Sequence, residues 1–175
     1  MPKRQANPVF VKRSITMDVS KLITADRIRC EPQASSQKQA LDMLSQSLAQ
    51  DEPGLSAGAI LECLVSRERI GSTGLGDAVA MPHARVEGID HSVGAFLRLG
   101  EPVDFGSPDG KPVDLLFGLL VPTECSDTEV GELRRLIKRL RDPALQEQLR
   151  QMDSRDEIHD LLTDSLTTVR KRLTA

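Results

Sequence analysis

Residues 113–122, VDLLFGLLVP, form an almost unbroken apolar run. Such a run suits a strand buried on both faces, although periodicity alone also admits a buried helix. A strand covered on both faces needs helices above and below its sheet, and the flanking sequence offers them. On the N-terminal side, Ser36 and Gln39 make an S-x-x-Q capping box, followed by Ala40, Leu41, Leu44 and Leu48 at helical spacing. Pro53-Gly54 breaks that helix, and Ser56 can cap another with Ile60, Leu61, Leu64 and Val65 on one face, ending near Arg69. On the C-terminal side, Ser126 and Glu129 form a further capping box for a helix over residues 127–141. Pro143 starts a short helix, and Ser154 caps one more. Between these groups, residues 92–100 read as a strand, and Asp109-Gly110 is a hairpin signal. Helices, strands, then helices predict an α/β fold: a single layered domain with a mixed β-sheet flanked by helices.

The chain has 175 residues, about one domain's worth. Residues 1–16 are polar and basic and read as a flexible leader, 17–164 as the folded domain, and 165–175 as a polar C-terminal tail. The net charge is −3, the wrong sign for a dedicated nucleic-acid binder. No apolar run approaches the length of a membrane span, and the basic start has no apolar core of a secretory signal. With four Phe and neither Trp nor Tyr, the core must be aliphatic, and base-stacking or sugar-stacking surfaces are disfavoured. Cys30, Cys63 and Cys125 are far apart and odd in number, which argues against a disulfide framework or zinc site and fits a reducing cytoplasm. No metal or cofactor is expected.

The least ordinary stretch is IGSTGLGDAVAMPHARVEG, residues 70–88. Its glycines match neither a dinucleotide fingerprint nor a phosphate-binding P-loop. No G-x-S-x-G elbow exists elsewhere to support a hydrolase triad. The strand-like piece DAVAMP leads straight into His83. Pro82 fixes its own φ and pushes Met81 into an extended conformation. An imidazole at a strand end, beside a glycine loop and Arg85, suits an anion. It could serve as a general base, a metal ligand or a phosphoryl acceptor, with metal disfavoured by the lack of a second ligand at suitable spacing. His91 reads as a loop residue and His159 as a surface one.

Residues 66–88, SRERIGSTGLGDAVAMPHARVEG, resemble the active-site signature of the enzyme IIA components of the mannitol/fructose class. These belong to the bacterial phosphoenolpyruvate-dependent phosphotransferase system. A second matching stretch, EPVDFGSPDGKPVDLLFGLLVP, follows at residues 101–122. The resemblance runs from about Leu22 to Leu162 and is nearest to the stand-alone nitrogen-regulatory type. It implies that His83 accepts a phosphoryl group from an HPr-type phosphocarrier protein. It also implies that Arg67 is an active-site arginine and that Ser72, Thr73 and Gly74 lie in the phosphate-binding loop beside the histidine. Arg85 is a possible auxiliary. The family's usual small-Gly pair is Asp77-Ala78 here, and its second active-site histidine falls at Gly131, early in the helix after the apolar strand. The favoured function is a regulatory phosphorelay protein that signals through phosphorylation-dependent binding. The alternatives are a sugar-transport IIA that passes phosphate to a IIB partner, and a protein-binding module that is never phosphorylated.

Overall fold

The computed structural model describes residues 19–124 and 127–171. Helix α1 (Val19–Leu22) and a 3-10 turn (Ala25–Arg27) lead into β1 (Ile28–Cys30). Helices α2 (Gln37–Leu48) and α3 (Ala57–Ile70) precede the strands β2 (Gly74–Gly76), β3 (Val79–Ala80), β4 (His83–Val86), β5 (Val93–Val103) and β6 (Val113–Pro122). Helices α4 (Asp127–Leu140), α5 (Pro143–Gln151) and α6 (Arg155–Lys171) close the chain. The expected mixed sheet flanked by helices is present.

The apolar run is β6, and it is the sheet's central strand. β5 lies antiparallel along one side of it. Along the other side lie β3, parallel and beside Leu115 and Leu116, and then β4, parallel and beside residues 119–122. β1 extends the sheet beyond β5, and β2 extends it beyond β3. The alternation of β6 explains why nearly all of it is apolar. Leu116 and Leu120 face Leu44, Ile60 and Leu64 of α2 and α3. Leu115, Phe117, Leu119 and Val121 face the other way, towards Leu136, Leu149 and Ile158 of α4, α5 and α6. Gly118 has a packing reason: a Cβ there would lie 2.7 Å from Cγ of buried Leu44, so its absence lets α2 settle on the sheet.

The helix starts follow their caps. Ser36 Oγ accepts from Gln39 N at 3.2 Å. The return bond goes to the preceding residue, because Gln39 Oε1 accepts from Ser35 N at 2.8 Å. Ser56 accepts from Ala59 N, and Asp142 caps α5 ahead of Pro143. Ser126 lies outside the described residues. Two boundaries differ from the sequence reading. DAVAMP is not one strand: Asp77 (φ 55°) and Ala78 (φ 62°) form a left-handed two-residue turn between β2 and β3. The last helix continues past residue 165, with Ser165 buried, because its apolar stripe of Ile158 and Leu162 is docked on the sheet. The 1–16 leader lies outside the described residues.

Candidate active site at His83

The chain runs along β6 in two steps, β3 and β4, separated by Met81-Pro82. Pro82 has no N–H to give to a ladder, but its carbonyl accepts from Leu119 N at 2.9 Å, so the break stays fastened to β6. His83 is the first residue of β4 and is half-buried. Ala84 and Val86 of the same strand belong to the core under α2 and α3. Strand alternation therefore puts His83 and Arg85 on the opposite face, the one that α4, α5 and α6 cover.

His83 Nδ1 lies 2.9 Å from the Met81 carbonyl oxygen. A carbonyl only accepts, so Nδ1 carries the proton. In the neutral ring the lone pair then sits on Nε2, which has no hydrogen-bond partner among the described residues. The site thus presents one defined nucleophilic nitrogen. Buried Val79 and Met81 and half-buried Leu75 lie in the apolar cluster on this face.

The glycine loop is organised by its own hydrogen bonds. Thr73, 4% exposed, gives both its donors to Glu68: N to Oε1 at 3.0 Å and Oγ1 to Oε2 at 2.6 Å. Ser72 Oγ donates to the Phe105 carbonyl at 2.6 Å and accepts from Gly74 N at 3.0 Å. The N–H groups of Thr73 and Gly74, in the loop that the resemblance assigns to phosphate binding, are therefore committed to Glu68 and Ser72. Gly74 is needed where it stands, since a Cβ would come within 2.9 Å of the Ser107 Cα. The second sequence stretch props the first. Asp109 Oδ2 accepts from Asp77 N at 2.8 Å, and these backbone N–H bonds hold its carboxyl below the usual range. Arg150 of α5 donates to the Asp77 carbonyl and to both Asp114 oxygens.

Arg67, in the last turn of α3, donates to the Gly71 carbonyl at 3.0 Å and not to the imidazole. Arg85 is exposed, with one contact at 3.5 Å to the Thr123 carbonyl. Gly131 does not occupy the place expected of it. It lies on the side of α4 that carries exposed Arg134, Arg135 and Lys138, and a Cβ there would meet nothing within 4 Å. Buried Leu136 and Leu140 define the inward side of α4, and in the first turn that side carries Glu129, 6% exposed. Counting residues along the chain placed position 131 early in the helix correctly, but not the face it occupies.

The other histidines are elsewhere. His91 sits on the loop after β4, bonded to Asp90 and Glu52. His159 is less superficial than expected: it is half-buried, and its Nε2 lies 3.2 Å from the Ile23 carbonyl. Among the described residues, no group of three or more His, Cys, Asp or Glu could hold a metal ion, and no helix is long and apolar enough to cross a membrane. Cys125 lies outside the described residues; Cys30 and Cys63 are free thiols. Sequence reasoning passed over Glu68 and the Met81 carbonyl. Glu68 was legible as the i+4 continuation of the Ile60–Leu64 stripe, a carboxylate on the inward face at the end of a helix.

Comparison with known proteins places this geometry in a family. Residues 21–165 match the family model described as phosphoenolpyruvate-dependent sugar phosphotransferase system, EIIA 2. A nitrogen regulatory protein of Klebsiella oxytoca is 33% identical over 157 residues, spanning 89% of this chain and 96% of that protein. The crystal structure of nitrogen regulatory protein IIA-Ntr from Neisseria meningitidis superposes with a TM-score of 0.77 at 35% identity, covering 83% of this chain and 99% of that one. IIA mannitol from Escherichia coli shares the fold, with a TM-score of 0.65 at 22% identity over 80% of this chain and 98% of that one. The chain belongs to the EIIA type 2 family of the phosphotransferase system, among its nitrogen-regulatory members.

Proposed function

We propose that this protein accepts a phosphoryl group on Nε2 of His83 from an HPr-type phosphocarrier protein and signals through phosphorylation-dependent binding to other proteins. The observation that carries this reading is the Nδ1–H bond to the Met81 carbonyl, which leaves Nε2 as the lone-pair nitrogen. The Nε2 lone pair attacks the phosphorus of the carrier's phosphohistidine. The carrier's P–N bond breaks, and its electron pair returns to the carrier's imidazole. Such a transfer asks for in-line approach and charge stabilisation, and little else. As the Nε2–P bond forms, the His83 ring gains positive charge. The Met81 carbonyl dipole at Nδ1–H offsets that charge.

The migrating oxygens need cations. Arg85 projects from the same strand face as His83, two residues on. Arg67 donates to a backbone carbonyl, which a phosphoryl oxygen would replace with a charge-assisted bond. Ser72, Thr73 and Gly74 act on the phosphate by shaping the loop rather than by lending the N–H groups of 73 and 74. Apolar Leu75, Val79 and Met81 limit water near the P–N bond. No metal or cofactor enters this transfer.

The test is incubation with phosphoenolpyruvate, enzyme I and the carrier protein, followed by intact mass measurement. Wild type should gain one acid-labile phosphoryl group, and His83→Ala should gain none while keeping its fold. Stable phosphate at His91 or His159 in that variant would overturn the assignment.

A further inference from the structure

We infer that Glu68 is a positioning residue for His83, acting through a hydrogen-bonded chain that sets which imidazole nitrogen is free. The inference rests on the phosphoryl-acceptor reading for its kinetic consequence, but not for its structural one.

Each link of the chain is a defined bond. Glu68 lies one turn beyond buried Leu64 on the inward stripe of α3, so its carboxylate reaches the glycine loop. It takes the N–H and the hydroxyl of Thr73, at 3.0 and 2.6 Å. Gln37 of α2 steadies it, with Nε2 donating to Oε1 at 3.1 Å. Thr73, held at both donors, offers its carbonyl to Met81 N at 3.0 Å. Met81, 1% exposed, then offers its own carbonyl to His83 Nδ1 at 2.9 Å. Met81 sits in the gap between β3 and β4, so its N–H is anchored by the loop rather than by a strand partner. If the Thr73 carbonyl drifts, the Met81 backbone is freed to turn. The acceptor that fixes the imidazole tautomer then moves with it.

The carboxylate is well matched to this task. It is acceptor-only when ionised, and two oxygens meet two donors of one residue. An amide in its place would turn one oxygen into an NH₂ group facing a donor. A neutral loop with a mobile Met81 carbonyl would let both neutral tautomers form. The Nδ1-lone-pair form would hold its proton on the nitrogen that must attack.

The experiment uses the full chain labelled with ¹⁵N, in wild-type, Glu68→Gln, Thr73→Val and Thr73→Ser forms. Long-range ¹H–¹⁵N spectra, followed upward in pH until the ring signals stop moving, read the His83 tautomer directly. The His83 signals are identified by their loss in His83→Gln. The phosphoryl uptake rate from the carrier is measured on the same samples. Wild type and Thr73→Ser should show the Nδ1–H form alone. Glu68→Gln and Thr73→Val should show mixed tautomers and uptake slowed about three- to tenfold, the rate equivalent of one neutral hydrogen bond. A slower rate with an unchanged tautomer would overturn the inference, as would mixed tautomers at an unchanged rate or no change in either. If Glu68→Gln fails to fold, Thr73→Val carries the same test, because valine keeps the shape and removes only the hydroxyl. If wild type takes no phosphate, the acceptor reading fails, and the tautomer spectra alone decide the role of Glu68.

Discussion

At the residue scale, the side chain that matters most is defined by what it leaves unbonded. Among the described residues, His83 spends Nδ1 on a carbonyl and finds no partner for Nε2. Gly131 is the converse case, a position singled out by the family resemblance whose surroundings are open. A histidine introduced there would project beside Arg134, Arg135 and Lys138, away from the inward side of α4. Gly131→His should therefore leave the hydrolysis half-time of the phosphorylated protein unchanged near neutral pH. It should raise stability by about 0.3–0.5 kcal/mol, because a helix-interior glycine is replaced by a better helix former. Parallel hydrolysis and urea-denaturation measurements on wild type and variant check both parts. A lengthened half-time would mean that residue 131 does reach the phosphate.

At the element scale, the loop between β4 and β5 is tied to the turn after α2 through Glu52. That carboxylate accepts from buried Arg27 at 2.8 Å and lies 3.2 Å from His91 Nε2. The hydrogen bond to Asp90, opposed by partial burial and aided by Glu52, raises the His91 pKa above its ordinary value of 6.5. A histidine with a raised folded pKa binds its proton more tightly in the folded state. Its contribution is full below the ordinary value and is lost as pH rises through the raised one. The stability gap between wild type and His91→Gln should therefore be wider at about pH 5.5 than at about pH 8.5. With the ring nearly half exposed, the difference should stay well under about 1 kcal/mol. Urea midpoints of the two proteins at both pH values measure it. A gap that is the same at both would show that the ring is not charged in this pairing. The elements themselves were largely legible in the sequence: β6 from its apolar run, and α2 and α3 from capping serines and aliphatic stripes. The turn at Asp77-Ala78 was not, because alternation of small apolar residues reads as strand. What sets that turn is the long-range bond from Asp77 to Asp109. The commitments of the Thr73 and Gly74 N–H groups were also not read, although their acceptors Glu68 and Ser72 stand close in sequence, because a glycine-rich stretch leaves open which neighbour each N–H meets.

At the scale of the whole molecule, the hydrogen bonds that hold the glycine loop and the turn before His83 run, among the described residues, from Gln37 of α2 to Arg150 of α5, and the family match begins at residue 21. Removal of residues 1–14 should leave the rate of phosphoryl uptake unchanged. A carrier-dependent phosphorylation time course on the shortened and full chains checks this, and a large loss would place a docking role before residue 15. The break at Met81-Pro82 has a further consequence for how the protein comes apart. Although it interrupts the strand, it is fastened to β6 through Pro82 and Leu119, and β6 is buried along nearly its whole length. Amide groups in such a strand exchange with solvent only when the entire cooperative unit opens, while loops and helix ends open on their own at far lower cost. The imidazole is thus mounted on a short strand bonded directly to the part of the molecule that lets go last. Breathing of loops outside the Glu68–Thr73–Met81 chain can admit and release a partner without disturbing the aim of Nε2, and fraying of helix ends beyond that chain leaves the setting intact.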